Sequence, residues 1–275
     1  MRLLRWRFRL RALLVAAALS AMSMAMVVWI GASREAEAHD ACVNNLKMIG
    51  FGLQQYASVN DNAFPYGTIV NESLPPQRRL SWFVGITPFL EQWVWLINTT
   101  RAWDDVENRV TRGRGVDGEE PPRIVARYSV LTCPMAREPK PAPMPGLTSY
   151  VGITGLGRDS ASLPKNDPRA GFFGYDRQTF FNDVRDGLAT TMAVAETTER
   201  GTWTAGGTHT LRGLDQARRP YMGRGRQFGG NHRGQTIVLF VDGSVRSRRE
   251  SIDPKVFEAL STIAGGESLP NEWDR

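Results

Sequence analysis

The first sixty residues show two patterns of apolar and polar positions, one after the other. An uncharged apolar run extends from Ala12 to Ile30, and as a helix it would rise roughly 28 Å, close to the thickness of the hydrocarbon layer of a bilayer. Further along, apolar residues recur at helical spacing and define one stripe: Leu46, Ile49, Leu53 and Tyr56. We therefore predict a membrane-spanning helix, followed by an amphipathic helix that packs against a sheet.

Charges on either side of the apolar run predict its orientation. Five arginines lie between positions 2 and 11, and no acidic residue precedes Glu35. Basic residues stay on the cytoplasmic side, so the rest of the chain should be exported. The predicted organisation is a cytoplasmic segment (1–11), a transmembrane helix (12–32), a helix extending from the membrane (33–62) and an extracytoplasmic head (63–275).

A cleaved signal peptide is the alternative interpretation of this segment. Ala36-Glu37-Ala38 has the small residues of an exit site, and cleavage after Ala38 would release a secreted or periplasmic binding module for a glycan or another anionic ligand. The apolar run is longer than a usual signal sequence, however, and Trp29 near its end suits a membrane interface. An inner-membrane anchor with a cytoplasmic N-terminus and a periplasmic head is the favoured interpretation.

Composition changes the interpretation of the charge. The formal net charge of +6 falls to about +1 once the five N-terminal arginines are set aside, so the head is nearly neutral. A nucleic-acid partner is therefore not expected. The content of 27 Gly and 16 Pro favours many turns over a helical bundle.

Strand-like runs appear in the second half of the chain. Three short segments fit strands: Tyr150–Ile153, Phe172–Tyr175 and Met192–Glu196. The β-branched run Thr236–Val241 is followed by Asp242-Gly243, which predicts a hairpin with a tight turn. Residues 206–230 are rich in Gly and Arg, and we predict a long mobile loop there.

Candidate chemistry is sparse. His232 and Asp242 lie ten positions apart, about 33 Å in an extended strand, so their spacing does not imply a catalytic pair. No zinc-ligand spacing, nucleophile motif or phosphate loop occurs, and we predict no catalytic residue, metal site or cofactor. Five acidic residues could supply oxygens to a calcium ion, but they follow no EF-hand spacing, and we interpret them as solvated loop carboxylates: Asp159, Asp167, Asp183, Asp186 and Glu196.

Two further features concern cysteine and arginine. Cys42 and Cys133 are the only cysteines, and in an oxidising compartment an isolated pair favours a disulfide over two buried thiols. Five arginines form a candidate anion-binding patch, for which a solvated flexible loop is the alternative: Arg212, Arg218, Arg219, Arg224 and Arg226.

Several motifs, in order along the chain, resemble one family. They are Cys-Val-Asn-Asn-Leu-Lys-Met-Ile-Gly from Cys42, Phe64-Pro65, Ser81-Trp82, Pro88-Phe-Leu-Glu-Gln, Leu131-Thr-Cys-Pro, Thr148-Ser-Tyr-Val-Gly, Val184-Arg-Asp-Gly with Glu196, His232 nine residues before Asp242-Gly243, and Ser251-Ile-Asp-Pro. This set is similar to the planctomycete DUF1559, or H-x9-DG, family of pseudopilin-like proteins, related to the pseudopilins of type II secretion.

The resemblance implies an α+β fold: a long N-terminal transmembrane helix that continues into a pilin-like helix packed on an antiparallel sheet in a globular head. It implies a structural or interaction protein without catalytic activity, in contact with the lipid bilayer through residues 12–32 and with other pseudopilin-like or secretion components as candidate partners. His232, Asp242 and Gly243 then have structural roles. One departure is that Arg9-Leu-Arg-Ala12 stands where pilin-type members carry a prepilin peptidase site, which puts processing and filament assembly in question.

Overall fold

A computed structural model describes residues 2–90, 97–108, 129–137, 146–271 and 273, with helix side chains described at Leu14 and from Ala16 onward. The chain forms two units, Met1–Asp40 and Ala41–Arg275.

Helix α1 spans Arg2–Ser58. Its apolar residues from Ala16 to Trp29 are exposed, and in the described part of the chain it is the one helix long and apolar enough to cross a membrane. The helix ends in a turn where Asp61 and Asn62 adopt positive φ angles of 52° and 63°. Asp and Asn tolerate this left-handed conformation better than most residues, which explains why the helix stops here.

Five strands form one sheet in the order β3-β1-β2-β4-β5. Their bounds, and those of the other two helices, are β1 Leu147–Leu156, β2 Met192–Thr202, β3 Leu211–Leu214, β4 Gln235–Phe240, β5 Val245–Arg249, α2 Trp82–Ile86 and α3 Pro254–Ala259. Strand β2 runs antiparallel to β1. The chain then crosses over to the other edge of β1, where β3 pairs with it in parallel. The α+β prediction is confirmed, but the sheet is mixed, because this crossover makes β1 and β3 parallel.

Two local predictions were wrong. Residues 172–175 lie beside the sheet without forming a strand, since Phe172 and Phe173 pack into the core in irregular backbone. The segment predicted as a mobile loop, 206–230, contains strand β3 and the buried rings of Tyr221 and Phe228. Aromatic residues spaced among glycines gave no periodic signal there.

The sheet is covered on both faces. Strand β4 sends Ile237 and Leu239 into one cluster and Val238 and Phe240 into the other, as the period of two in a strand requires. Part of α1 covers the first face with a fully buried stripe: Cys42, Leu46, Ile49, Leu53 and Ala57. Phe257 of α3 packs on the second face.

The predicted hairpin is present between β4 and β5. Gly243 has φ +85°, and its N–H donates to the carbonyl of Phe240 at 3.0 Å. The carboxylate of Asp242 accepts the N–H of Ser244 at 2.8 Å. The hairpin is therefore present, but only Gly243 of the Asp-Gly pair supplies a positive φ, while Asp242 contributes its side-chain hydrogen bond.

Candidate functional site

Four buried side chains with metal-ligating atoms meet between α1 and the sheet. They are Cys42, Cys133, Glu196 and His232, and one ligand atom from each lies within 4.8 Å of all the others. Each belongs to a different part of the head, so only the tertiary fold brings them together. We call this group the Cys-Cys-Glu-His cluster.

Cys42 enters the cluster from α1. It occupies the first position of the buried stripe, so helical periodicity fixes its direction toward the sheet. The hydroxyl of Tyr150 on β1 is within hydrogen-bonding reach of its thiol. That hydroxyl in turn accepts a hydrogen bond from Asn45 Nδ2 at 3.2 Å. Asn45, one turn after Cys42, thus holds the tyrosine that contacts it.

Cys133 enters from the segment after a short 3₁₀ turn, Ser129–Leu131. Its N–H donates to Ser149 Oγ on β1 at 3.0 Å, which anchors the segment to the sheet. Its Sγ lies 3.8 Å from Nε2 of His232. The N–H of Met135 is also within hydrogen-bonding reach of the sulfur.

Glu196 projects from β2 and is 1% exposed. Its Oε2 accepts the N–H of Ile237 on β4 at 2.9 Å, while Oε1 accepts no hydrogen bond from the described residues and lies 3.5 Å from His232 Nε2. The expectation of a solvated loop carboxylate was wrong for this residue. A carboxylate is buried at this depth only when partners or a ligand offset its desolvation.

His232 lies in the segment before β4, with its Nε2 toward both Cys133 and Glu196. Gly230 lies directly beside the carboxylate and leaves no room for a side chain, since an added Cβ would overlap Glu196 Oε2. The backbone before β4 therefore approaches β2 closely because position 230 is glycine.

Contacts within the cluster shift the pKa values of three of its members, Cys133, Cys42 and His232. A hydrogen bond with Cys42 lowers the pKa of the Cys133 thiol, and contacts with His232 and the Met135 N–H act in the same direction. The bond with Cys133 raises the pKa of Cys42, and burial adds to this. Burial alone would lower the pKa of His232, but contacts with Cys133 and Glu196 outweigh it and raise the pKa to about 10.

The predicted Cys42–Cys133 disulfide is absent from the structure. Both cysteines are buried thiols, not bonded to one another. The sequence identified two residues that are neighbours in space. It did not show that an imidazole and a carboxylate share the same interior site, with the Cys133 sulfur directed at the imidazole.

His232 and Asp242 do not converge. They lie at opposite ends of β4, and Asp242 is exposed in the hairpin turn. The partners of His232 are the other members of the Cys-Cys-Glu-His cluster.

The guanidinium groups of three of the five arginines in the candidate anion-binding patch bond to other residues of the chain. Arg212 is largely buried and bonds Thr197 Oγ1 at 2.6 Å, and Arg218 bonds Glu199 at 2.6 Å. Arg219 pairs with Glu258. Arg224 and Arg226 are exposed. Anion binding at this patch stays a prediction.

The sequence contains all four members of the cluster, but it does not predict that they lie close together in space. They are separated by 91, 63 and 36 positions, and no metal-ligand spacing connects them. The available signal was an acidic residue directly after an apolar run: Glu196 follows Met192-Ala-Val-Ala. A carboxylate at that place is buried because the strand is covered on both faces.

Comparisons with known proteins give one result. A family model described as a protein of unknown function (DUF1559) matches residues 32–213, a range that includes Cys42, Cys133 and Glu196 and ends before His232. No curated protein matches. No solved structure matches either. Because the family model covers more than half of the 275 residues, the chain belongs to the DUF1559 family.

Proposed function

We propose that the protein is a structural or interaction protein anchored in the cell inner membrane, with a cytoplasmic N-terminus and its Ala41–Arg275 unit in the periplasm. The exposed apolar surface of α1 carries this proposal. Met24, Val27, Val28 and Trp29 are each at least 68% exposed. Apolar surface costs roughly 25 cal/mol per Å² in water, and lipid removes that cost.

The finer, pseudopilin-like role rests on the resemblance and on one feature of the head. Residues 42–57 of α1 form the stripe that packs against the sheet, as a helix-on-sheet head of the pseudopilin type would require. We infer that the head contacts other pseudopilin-like or secretion components. A non-catalytic role is supported by the separation of His232 from Asp242 and by the use of Asp242 as a turn residue.

The anchor and its alternative, a secreted binding module, predict different N-termini. The anchor predicts an uncleaved chain that stays in the membrane. Intact-mass measurement and N-terminal sequencing of the native protein should find the chain beginning at Met1, in membranes that retain it after an alkaline carbonate wash. A soluble periplasmic chain that begins at His39 would establish secretion. A shortened, methylated N-terminus would instead show prepilin peptidase processing and contradict the anchor as proposed.

A matched variant sharpens this experiment. Ala38→Leu removes the small residue that a signal peptidase requires and leaves the apolar run intact. If the segment is an anchor, the variant and the wild type should have the same N-terminus and the same membrane fraction. Retention of the variant alone would contradict the proposal.

A further inference from the structure

We propose that Cys42, Cys133, Glu196 and His232 form a tetrahedral zinc(II) site in the Ala41–Arg275 unit. The four ligand atoms lie within 4.8 Å of one another, and all four side chains are buried. This inference is independent of the anchor and of the pseudopilin-like role.

The spacing of the ligand atoms fits zinc. In tetrahedral geometry, ordinary zinc–ligand lengths place a thiolate sulfur about 3.6 Å from an imidazole nitrogen, and that nitrogen about 3.4 Å from a carboxylate oxygen. The Cys133 Sγ to His232 Nε2 distance is 3.8 Å, and the His232 Nε2 to Glu196 Oε1 distance is 3.5 Å. Both distances match a zinc site closely, and the other pairs of ligand atoms lie within 4.8 Å of one another, so side-chain movements alone can close the site around an ion.

Neighbouring groups orient three of the four ligands. The N–H of Ile237 holds Glu196 Oε2, which directs Oε1 toward the cluster. The hydroxyl of Tyr150 contacts Cys42, and the N–H of Met135 contacts Cys133. Such outer partners fix the rotamers of metal ligands and commonly change metal affinity by about 10- to 100-fold when removed.

The donor set selects zinc among the common metals. Calcium and magnesium prefer oxygen ligands and would leave two sulfurs and a nitrogen unused. Copper(I) prefers thiolate and thioether ligands, which disfavours the carboxylate, and an iron–sulfur cluster usually takes four thiolates. Zinc accepts sulfur, nitrogen and oxygen together in a tetrahedral site.

Zinc also accounts for burying these four groups together. A carboxylate and an imidazole in a core are costly compared with apolar residues of the same size, unless a ligand offsets the cost. A metal would hold α1, the segment at Cys133, strand β2 and the segment before β4 to one point. It would also compete with disulfide formation, because thiolates bound to zinc are shielded from oxidation.

The test uses the full-length protein, extracted from membranes in detergent without chelators. Elemental analysis should find about one zinc ion per chain, the stoichiometry of a single four-ligand site. Replacing zinc with cobalt(II) should give the ligand-field absorption of a tetrahedral ion and a thiolate-to-cobalt charge-transfer band. These two measurements need no variant.

Variants then assign the ligands. Glu196→Gln keeps the size of the side chain and replaces the carboxylate by a weaker amide ligand, so zinc affinity should fall at least about 10-fold. Cys133→Ser should remove the charge-transfer band or weaken it strongly. Glu199→Gln, on the same strand, and His209→Ala, the other histidine of the head, should keep both the zinc and the spectrum.

A stability measurement separates ligand loss from misfolding. A chelator should lower the thermal midpoint of the wild type and leave that of Cys133→Ser unchanged. The proposal is overturned if the folded wild type takes up no more zinc than Cys133→Ser. It is also overturned if native protein contains a Cys42–Cys133 disulfide, seen as two missing hydrogens in the intact mass, or if all cluster variants retain the metal.

Discussion

At the scale of single residues, acidic side chains hold the backbone of this head in several turns. The carboxylate of Asp186 accepts the N–H of Gly265 at 2.8 Å, the N–H of Gly266 at 2.9 Å and the hydroxyl of Thr262 at 3.1 Å. Asp253 caps α3 by accepting the N–H of Lys255 at 2.8 Å. Both residues belong to motifs on which the family resemblance rests, so these motifs fix turns and helix ends.

Gly243 gives the first residue-scale prediction. Its φ of +85° is a conformation that a β-branched residue rarely adopts, while nothing lies within 4 Å of an added Cβ. Gly243→Val should therefore lower the stability by about 1–3 kcal/mol through backbone strain alone. Gly243→Asn, which tolerates positive φ, should retain most of the stability. Thermal midpoints in the same detergent compare the two, and equal midpoints would contradict the backbone origin.

Turn residues of this kind could be predicted from the sequence, whereas the cluster could not. Asp242-Gly243 acts through its immediate neighbours, so the dipeptide alone specifies the hairpin. Glu196 becomes a buried cluster member only because β2 lies between β1 and β4 and because α1 covers that face. Information of this kind is not local, and no spacing within the sequence contains it.

At the scale of elements, α1 meets the sheet at very short range. A Cβ at Gly50 would lie 2.9 Å from Leu239 Cδ1, so the glycine allows the helix backbone to approach β4. Gln54 Nε2 donates to the carbonyl of Val241 at 2.9 Å, just beyond the end of that strand. The sequence predicted the helical stripe, because the buried positions repeat every three or four residues. It did not predict strand β3, since the four residues of that strand are too few to show a period.

The element-scale prediction contrasts two faces of α1. Leu46 is fully buried in the stripe, whereas Met48 is 42% exposed. Leu46→Ala should lower the free energy of unfolding by about 2–5 kcal/mol, because it removes buried methyl groups and leaves a cavity. Met48→Ala, a matched truncation on the exposed face, should cost less than about 1 kcal/mol. A similar loss for both variants in denaturant unfolding would show that the stripe does not anchor the helix to the sheet.

At the scale of the whole molecule, long-range contacts dominate the fold. The sheet order places β3 and β5 at the edges and β2 between β1 and β4, so no strand in the centre pairs only with its sequence neighbours. The continuous apolar run Ile237–Val241 fits a strand that is covered on both faces, and its side chains enter both clusters. The crossover that makes β1 and β3 parallel depends on the path of residues 203–210, which carries no sequence signal for strand direction.

The last prediction concerns the orientation of the proposed membrane anchor. Positive residues resist translocation, so the arginines at positions 2, 5, 7, 9 and 11 should keep the N-terminus in the cytoplasm. Replacing all five with alanine should reduce the fraction of chains whose head is digested by protease added to spheroplasts. Arg34→Ala removes a positive charge from the other end of the apolar run and should leave that fraction unchanged or raise it. If the five-alanine variant is digested as completely as the wild type, the arginines do not set the orientation.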